Sequence, residues 1–279
     1  MDKILLLLLL FTLPAILIYF IRRRRNHRRS TLFNRPLEPD RLRMLDEIPL
    51  CRRIPQEYRK ELCGHINVFL SEKTFEGCRG QRITDEIKLK IAAQACVLLL
   101  NRETDYFPRL TSLLIYPDAY WVNDNYEMAG QTIKGKAVNL GESWEQGTVV
   151  LSWKQISDEL ADQYCGHSLV LHEFAHQIDA EDGFLNGLPE LGEGANYGKW
   201  ADVFGKEYDG LRDGAVNGVE DVIDDYGAQD PAEFFAVVTE GFFLKPTEMR
   251  QAHVELYDEL VKFYRLDPAG WNPDGASNA

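Results

Sequence analysis

"SLVLHEFAHQIDAEDGF", Ser168 to Phe184, decides how the rest of the chain is read. Leu169, Val170, Leu171, Phe174, Ala175 and Ile178 make it apolar, yet it also holds His172, Glu173 and His176 at HExxH spacing. Burying polar groups without partners costs on the order of kcal/mol each, so the trio requires either a satisfied network or a metal. On a helix, positions i and i+4 share a face. His172 and His176 can then present their imidazole nitrogens to one point, and zinc bonds such nitrogens at about 2.0–2.1 Å. Glu173 lies about 100° around the helix axis, poorly placed to ligate but well placed to take a proton from water activated by the metal. The pattern alone arises by chance in on the order of one chain in a hundred, so a third ligand is needed to support a metal.

A catalytic zinc takes three protein ligands and keeps one position open. Asp182 lies six residues after His176, where the longer HExxHxxGxxH pattern keeps its third ligand, but Asp179 stands in place of the glycine that pattern needs. His253 sits on a charged helical face and reads as solvated. Glu233 lies in "DDYGAQDPAEFFAVVTEGFF". A helix start explains it without a metal: Asp230 as N-cap, Pro231 at the first helical position, and Glu233 at N3 closing a capping box. The helix it opens is apolar and hence buried, and Glu240 lies two turns on along the same face. From the residues alone, either Glu233 or Glu240 could ligate. Asp179 is equally open between a bond to a ligating imidazole and a plain helix end near Gly183. His65, His167 and His253 receive no role.

Outward from the motif, the chain of 279 residues, with 45% hydrophobic and 27% charged residues, can bury a sizeable core. Residues 1–30 carry a net +6, which leaves −19 for the remainder of a chain whose total is −13. So acidic a remainder argues against nucleic-acid binding, which needs a positive surface. Ile4 to Ile21 runs without a charge and is succeeded by "RRRRNHRR". Eighteen helical residues span about 27 Å, and the positive-inside rule puts the C-terminal side in the cytoplasm. The expectation is a transmembrane helix touching inner-membrane lipid, in a single-pass protein of the bacterial cell membrane with a cytoplasmic catalytic domain. On that reading residues 1–30 are the anchor, 31–43 a linker and 44–279 the catalytic domain. Five cysteines, odd in number and without CxxC, fit reduced thiols.

Periodicity predicts helices over "IPQEYRKELCGHINVFLSEK", "ITDEIKLKIAAQACVLLLN" capped by Thr84, the motif, Tyr197–Leu211, Asp230–Phe243 and Ala252–Tyr264. Strands are predicted at "SLLIYP", around Tyr120–Val122, and at "GTVVLSW". This is an α+β domain, mostly helical with a small mixed sheet. The strand Gly147–Trp153 reads equally as a peptide-gripping edge or as a plain core strand.

"HEFAH" and, further on, "YGAQDPAEFFA", with "SWEQGTVVLSW" and "ITDEIKLKIAAQACVLLL", resemble the zincin peptidases of the Mlc titration factor A family over roughly Leu45 to Pro268. The resemblance implies a zincin-like fold with one zinc per chain, held by His172, His176 and Glu233. It implies Glu173 as general base and Tyr226, seven residues before Glu233, as the oxyanion-stabilising hydroxyl. It further implies a metallopeptidase acting on a peptide or protein substrate, in an aminopeptidase-like manner. The alternative is a binding protein that sequesters a transcriptional regulator, a glucose-responsive repressor in that family. The expected membrane helix is the one departure from the family.

Overall fold

The computed structural model describes residues 2–118, 126–128, 131–133, 147–162 and 166–271. The chain opens with α1 (Asp2–Phe33), α2 (Pro39–Asp46), α3 (Pro49–Arg53) and α4 (Gln56–Glu72), then β1 (Thr74–Gly77) and α5 (Asp85–Val97). Strand β2 (Ser112–Tyr116), a short antiparallel pair β3 (Tyr126–Met128) and β4 (Gln131–Ile133), and β5 (Thr148–Ser152) come next. Helices α6 (Trp153–Ala161), α7 (Leu169–Asp179), α8 (Tyr197–Asn217), α9 (Pro231–Leu244), α10 (Pro246–Ala252) and α11 (Val254–Tyr264) complete it. The architecture is α+β and mostly helical.

The main sheet has the order β1-β2-β5 and is parallel throughout, with Thr74 opposite Ser112 and Ser112 opposite Thr148. The expected mixed sheet is therefore corrected, since the antiparallel pair stands apart from it. The reason is connectivity: β1 reaches β2 through α5, and a helical crossover returns the chain in the same direction. The predicted strands at "SLLIYP" and "GTVVLSW" are β2 and β5, while the one around Tyr120–Val122 lies outside the described residues. The helix expected over Ala252–Tyr264 is α11, starting at Val254 after a break at His253, φ −127° and ψ 61°, that separates it from α10.

The predicted cap of α5 forms, with Thr84 Oγ1 accepting from Ile87 N at 3.2 Å. The motif helix α7 is buried from Val170 to Asp179 and packs most extensively on α9. Phe174 anchors it, its ring 4.8 Å from that of Phe107 and 5.6 Å from that of Phe69. Phe234, Phe235, Phe242 and Phe243 bury α9 from the other side. The cysteines among the described residues, Cys51, Cys63, Cys78 and Cys96, are free.

The expected transmembrane helix over Ile4–Ile21 is overturned. Among the described residues no helix is long and apolar enough to cross a membrane, and the inner-membrane lipid contact and single-pass membrane localisation fall with it. The apolar run is not a separate element; it continues into the arginine-rich half of α1. The basic half is fastened to protein: the Arg29 guanidinium grips Glu72 at 2.7 and 2.8 Å and also meets Asp105. The stretch expected as a linker, 31–43, holds the end of α1 and the first part of α2.

Candidate metal centre

Three side chains hold the start of α7, where backbone N–H groups have no partner within the helix. Ser168 is the N-cap, its Oγ accepting from Leu171 N at 3.1 Å. Glu159 on α6 accepts from Leu169 N at 2.9 Å, and Glu240 on α9 accepts from Ser168 N at 2.6 Å. Ser168 Oγ lies 2.8 Å from Gln94 Oε1 on α5. The segment is thus tied to its neighbours before it presents His172 and His176, whose rings lie 4.9 Å apart on one face.

Asp230 caps α9 as its sequence predicts, Oδ1 accepting from Ala232 N at 2.9 Å and Glu233 N at 3.0 Å. Glu233, the residue that would close a capping box, turns instead to the imidazoles. Its Oε2 lies 3.0 Å from His172 Nε2 and 3.4 Å from His176 Nε2. Among the described residues, His172, His176 and Glu233 are the group that could hold a metal ion, with one ligand atom from each, all within 4.8 Å of one another. Glu240, two turns further along α9, takes the opposite side of the same ring, its Oε1 2.8 Å from His172 Nδ1. The choice that the residues alone leave open is a division of labour, one carboxylate on each nitrogen of His172.

Glu173 is 1% exposed, and its Oε2 has no hydrogen-bond partner. Burial pushes its carboxyl up to about 8, against the pull of His172 and with help from Glu233 and Glu240. Burial also works against charge on His172, but the bonds to Glu233 and Glu240 carry it to about 10. Burial would raise Glu233, yet the two imidazoles hold it down near 2. His176 is driven below its ordinary value by burial, only partly offset by Glu233. Three carboxylates thus converge in little solvent, and the electrostatics call for positive charge. The donor set of two imidazoles and one carboxylate is what a divalent ion such as zinc takes, and the unpartnered Glu173 oxygen beside it has no structural employment. The residues fit a metal.

Tyr226 stands on a 3-10 turn, Asp225–Ala228, capped by Asp224, whose Oδ1 accepts from Tyr226 N at 2.8 Å. Its ring is 5.8 Å from that of His172 and 43% exposed. Partial burial, then Glu233 and Glu173, raise its hydroxyl pKa. The other candidates lie elsewhere. Asp182 accepts from Phe184 N in the loop after α7. Asp179 Oδ2 accepts from Gly187 N at 2.8 Å in the loop after α7. His253, expected to be solvated, is held between Glu207 at 2.8 Å and Asp221 at 2.7 Å. His65 is buried between Tyr106 and Glu61. Sequence reasoning passed over Glu159 and Gln94, which carry no motif; Gln94 alone leaves a signal, a polar side chain within an apolar run of α5.

The profile of a family described as glucose-regulated metallo-peptidase M90 matches residues 21–265. The chain belongs to this family. The M90 match takes in every element that carries the site, from α5 through α9. The slr2042 protein of Synechocystis is 41% identical over 244 residues, covering 86% of this chain and 89% of the relative. Mlc titration factor A of Yersinia enterocolitica is 30% identical over 233 residues, 79% of this chain and 83% of that protein. Its counterpart in Yersinia pestis is 29% identical over 225 residues. The M90 family thus brings a metal with it, and the resemblance drawn from "HEFAH" and "DPAEFFAV" agrees with the relatives' names.

Proposed function

We propose that the protein is a zinc-dependent metallopeptidase with one zinc per chain, held by His172, His176 and Glu233. The observation that carries this reading is the convergence of those three ligand atoms beside a buried, unpartnered Glu173 oxygen. When bound, zinc supplies Lewis acidity, which acidifies water and polarises a peptide carbonyl. Glu173 is the general base: its Oε2 accepts the water proton and later delivers it to the leaving amine. Tyr226 donates its hydroxyl to the developing oxyanion, a contribution often worth about 3–4 kcal/mol. The peptidase unit we assign to residues 44–279, acting on peptide or protein substrates. An aminopeptidase-like mode, acting at a free α-amino end, is the finer reading that the family resemblance implies.

Glu173→Gln tests the mechanism. Zinc content is expected to survive, because Glu173 is not a ligand, while hydrolysis of a peptide library disappears. Hydrolysis at the wild-type rate in that variant would disprove it. The name of the Yersinia relatives, titration factor, favours a second reading, capture of a transcriptional regulator. Glu173→Gln separates the two, since capture does not need a base and is expected to persist.

A further inference from the structure

Glu240 has no role in the chemistry just described, although it is a charged side chain only 5% exposed on a helix of phenylalanines and valines. Its two oxygens have different partners. Oε2 is 2.6 Å from Ser168 N, and a backbone N–H can only donate. Oε1 is 2.8 Å from His172 Nδ1. We infer that Glu240 is a positioning residue for His172: by accepting the Nδ1 hydrogen it keeps a hydrogen on that nitrogen and leaves Nε2, on the side of His176 and Glu233, as the atom that gives up its hydrogen to a metal. This inference rests on the metal site of the proposed function. It adds the reason why a carboxylate, and no other side chain, stands at 240. Ligating histidines commonly donate their other nitrogen in this way, and loss of that partner typically costs 10–100-fold in metal affinity.

The amide isostere separates this role from a merely structural one. Capping Ser168 N needs one acceptor oxygen, and Glu240→Gln keeps one. Because Ser168 N cannot accept, the Gln oxygen must turn to it, which leaves the NH2 group against His172 Nδ1. That nitrogen must then accept, so the ring hydrogen moves to Nε2, where it blocks ligation. Ser168 Oγ, already engaged by Leu171 N and Gln94, holds the segment in place meanwhile. A capping role alone predicts no loss of metal affinity in this variant.

The test uses the full chain as wild type and as Glu240→Gln. Zinc affinity is read by competition with a chromophoric chelator, and the His172 ring nitrogens by 15N NMR of metal-free protein. The expected result is zinc binding weakened 10–100-fold and an Nδ1 that carries hydrogen in wild type and none in the variant. Affinity within about twofold of wild type, with Nδ1 protonated in both, overturns the inference. If the variant does not fold, zinc-loaded wild type decides alone: Nε2 coordinated with hydrogen on Nδ1 supports the inference, and coordination through Nδ1 refutes it. A wild type that binds zinc and cleaves no peptide removes the peptidase reading and leaves Glu240's role intact. A Glu240→Gln variant that binds zinc as tightly as wild type does the reverse.

Discussion

Asp179, the last residue of α7, offers a quantitative test of how the motif helix is held. It is fully buried; Oδ2 accepts from Gly187 N at 2.8 Å, and Oδ1 has no partner. Burial pushes its carboxyl up to about 6, although the backbone N–H groups of the Asn186–Leu188 loop resist. An unfolded aspartate titrates near 3.9. Between about pH 4 and pH 6 the folded protein therefore binds more protons at this site than the unfolded chain, so stability falls as pH rises through that window and stays lower above it. Roughly two pH units at 1.36 kcal/mol each give about 3 kcal/mol. Asp179→Asn keeps an oxygen for Gly187 N and removes the titration. The buried NH2 group costs about 1–3 kcal/mol, but equally at every pH, so it cancels when the mutational effect is compared at two pH values. Urea unfolding of chelator-treated protein at about pH 4 and about pH 7.5 is expected to show the effect of the mutation shifting by about 2–3 kcal/mol in the variant's favour at the higher pH. A shift below about 0.5 kcal/mol, the usual error of such differences, would refute the reasoning.

Gly187 has φ +74°, and a Cβ there would overlap the Pro231 carbonyl at the start of α9. Gly187→Ala is expected to lower stability by at least about 2 kcal/mol from left-handed strain plus the clash and to weaken zinc binding by shifting Glu233. Thermal melts with a zinc titration check both, and an unchanged melt would contradict the close approach. Burial opposes charge on His253, but Asp221 and Glu207 raise its pKa, while His253 lowers that of Asp221 against burial. The raised histidine stabilises fully below about pH 6.5 and loses that contribution as pH rises through its folded value; the lowered Asp221 contributes above about pH 3.9. His253→Gln should therefore destabilise the protein more near pH 5–6 than at alkaline pH, read by urea unfolding at both. Zinc at about 100 times its Kd should stabilise wild type by about 2.7 kcal/mol and leave Glu233→Ala unmoved, as scanning calorimetry would report. Equal shifts in the two proteins would place the ion elsewhere.

Local patterns were legible wherever one helix or one strand settles the matter by itself. The spacing of His172 and His176 fixes their shared face because a helix turns by a set angle per residue. Thr84, Ser168 and Asp230 announce helix starts through their own side chains. Asp230-Pro231-Ala232-Glu233 also shows the limit, since the local rule closes a capping box with Glu233, whereas packing of α9 on α7 offers that carboxylate two buried imidazoles. The apolar run Ile4–Ile21 misled for a related reason: a window of hydropathy ignores the arginine-rich helix that continues it and the Glu72 to which Arg29 is bound.

The sequence by itself determined the angular placement of each candidate on its own helix, the caps, and the acidic, metal-seeking character of the chain. Only the tertiary structure decided which carboxylate meets which nitrogen, that Glu159 and Gln94 hold the start of α7, and that the sheet is parallel. Helical periodicity fixes direction around an axis over a few residues. The distance between His172 and Glu233, 61 residues apart in the chain, is set by how two buried helices pack, and no local pattern carries that information.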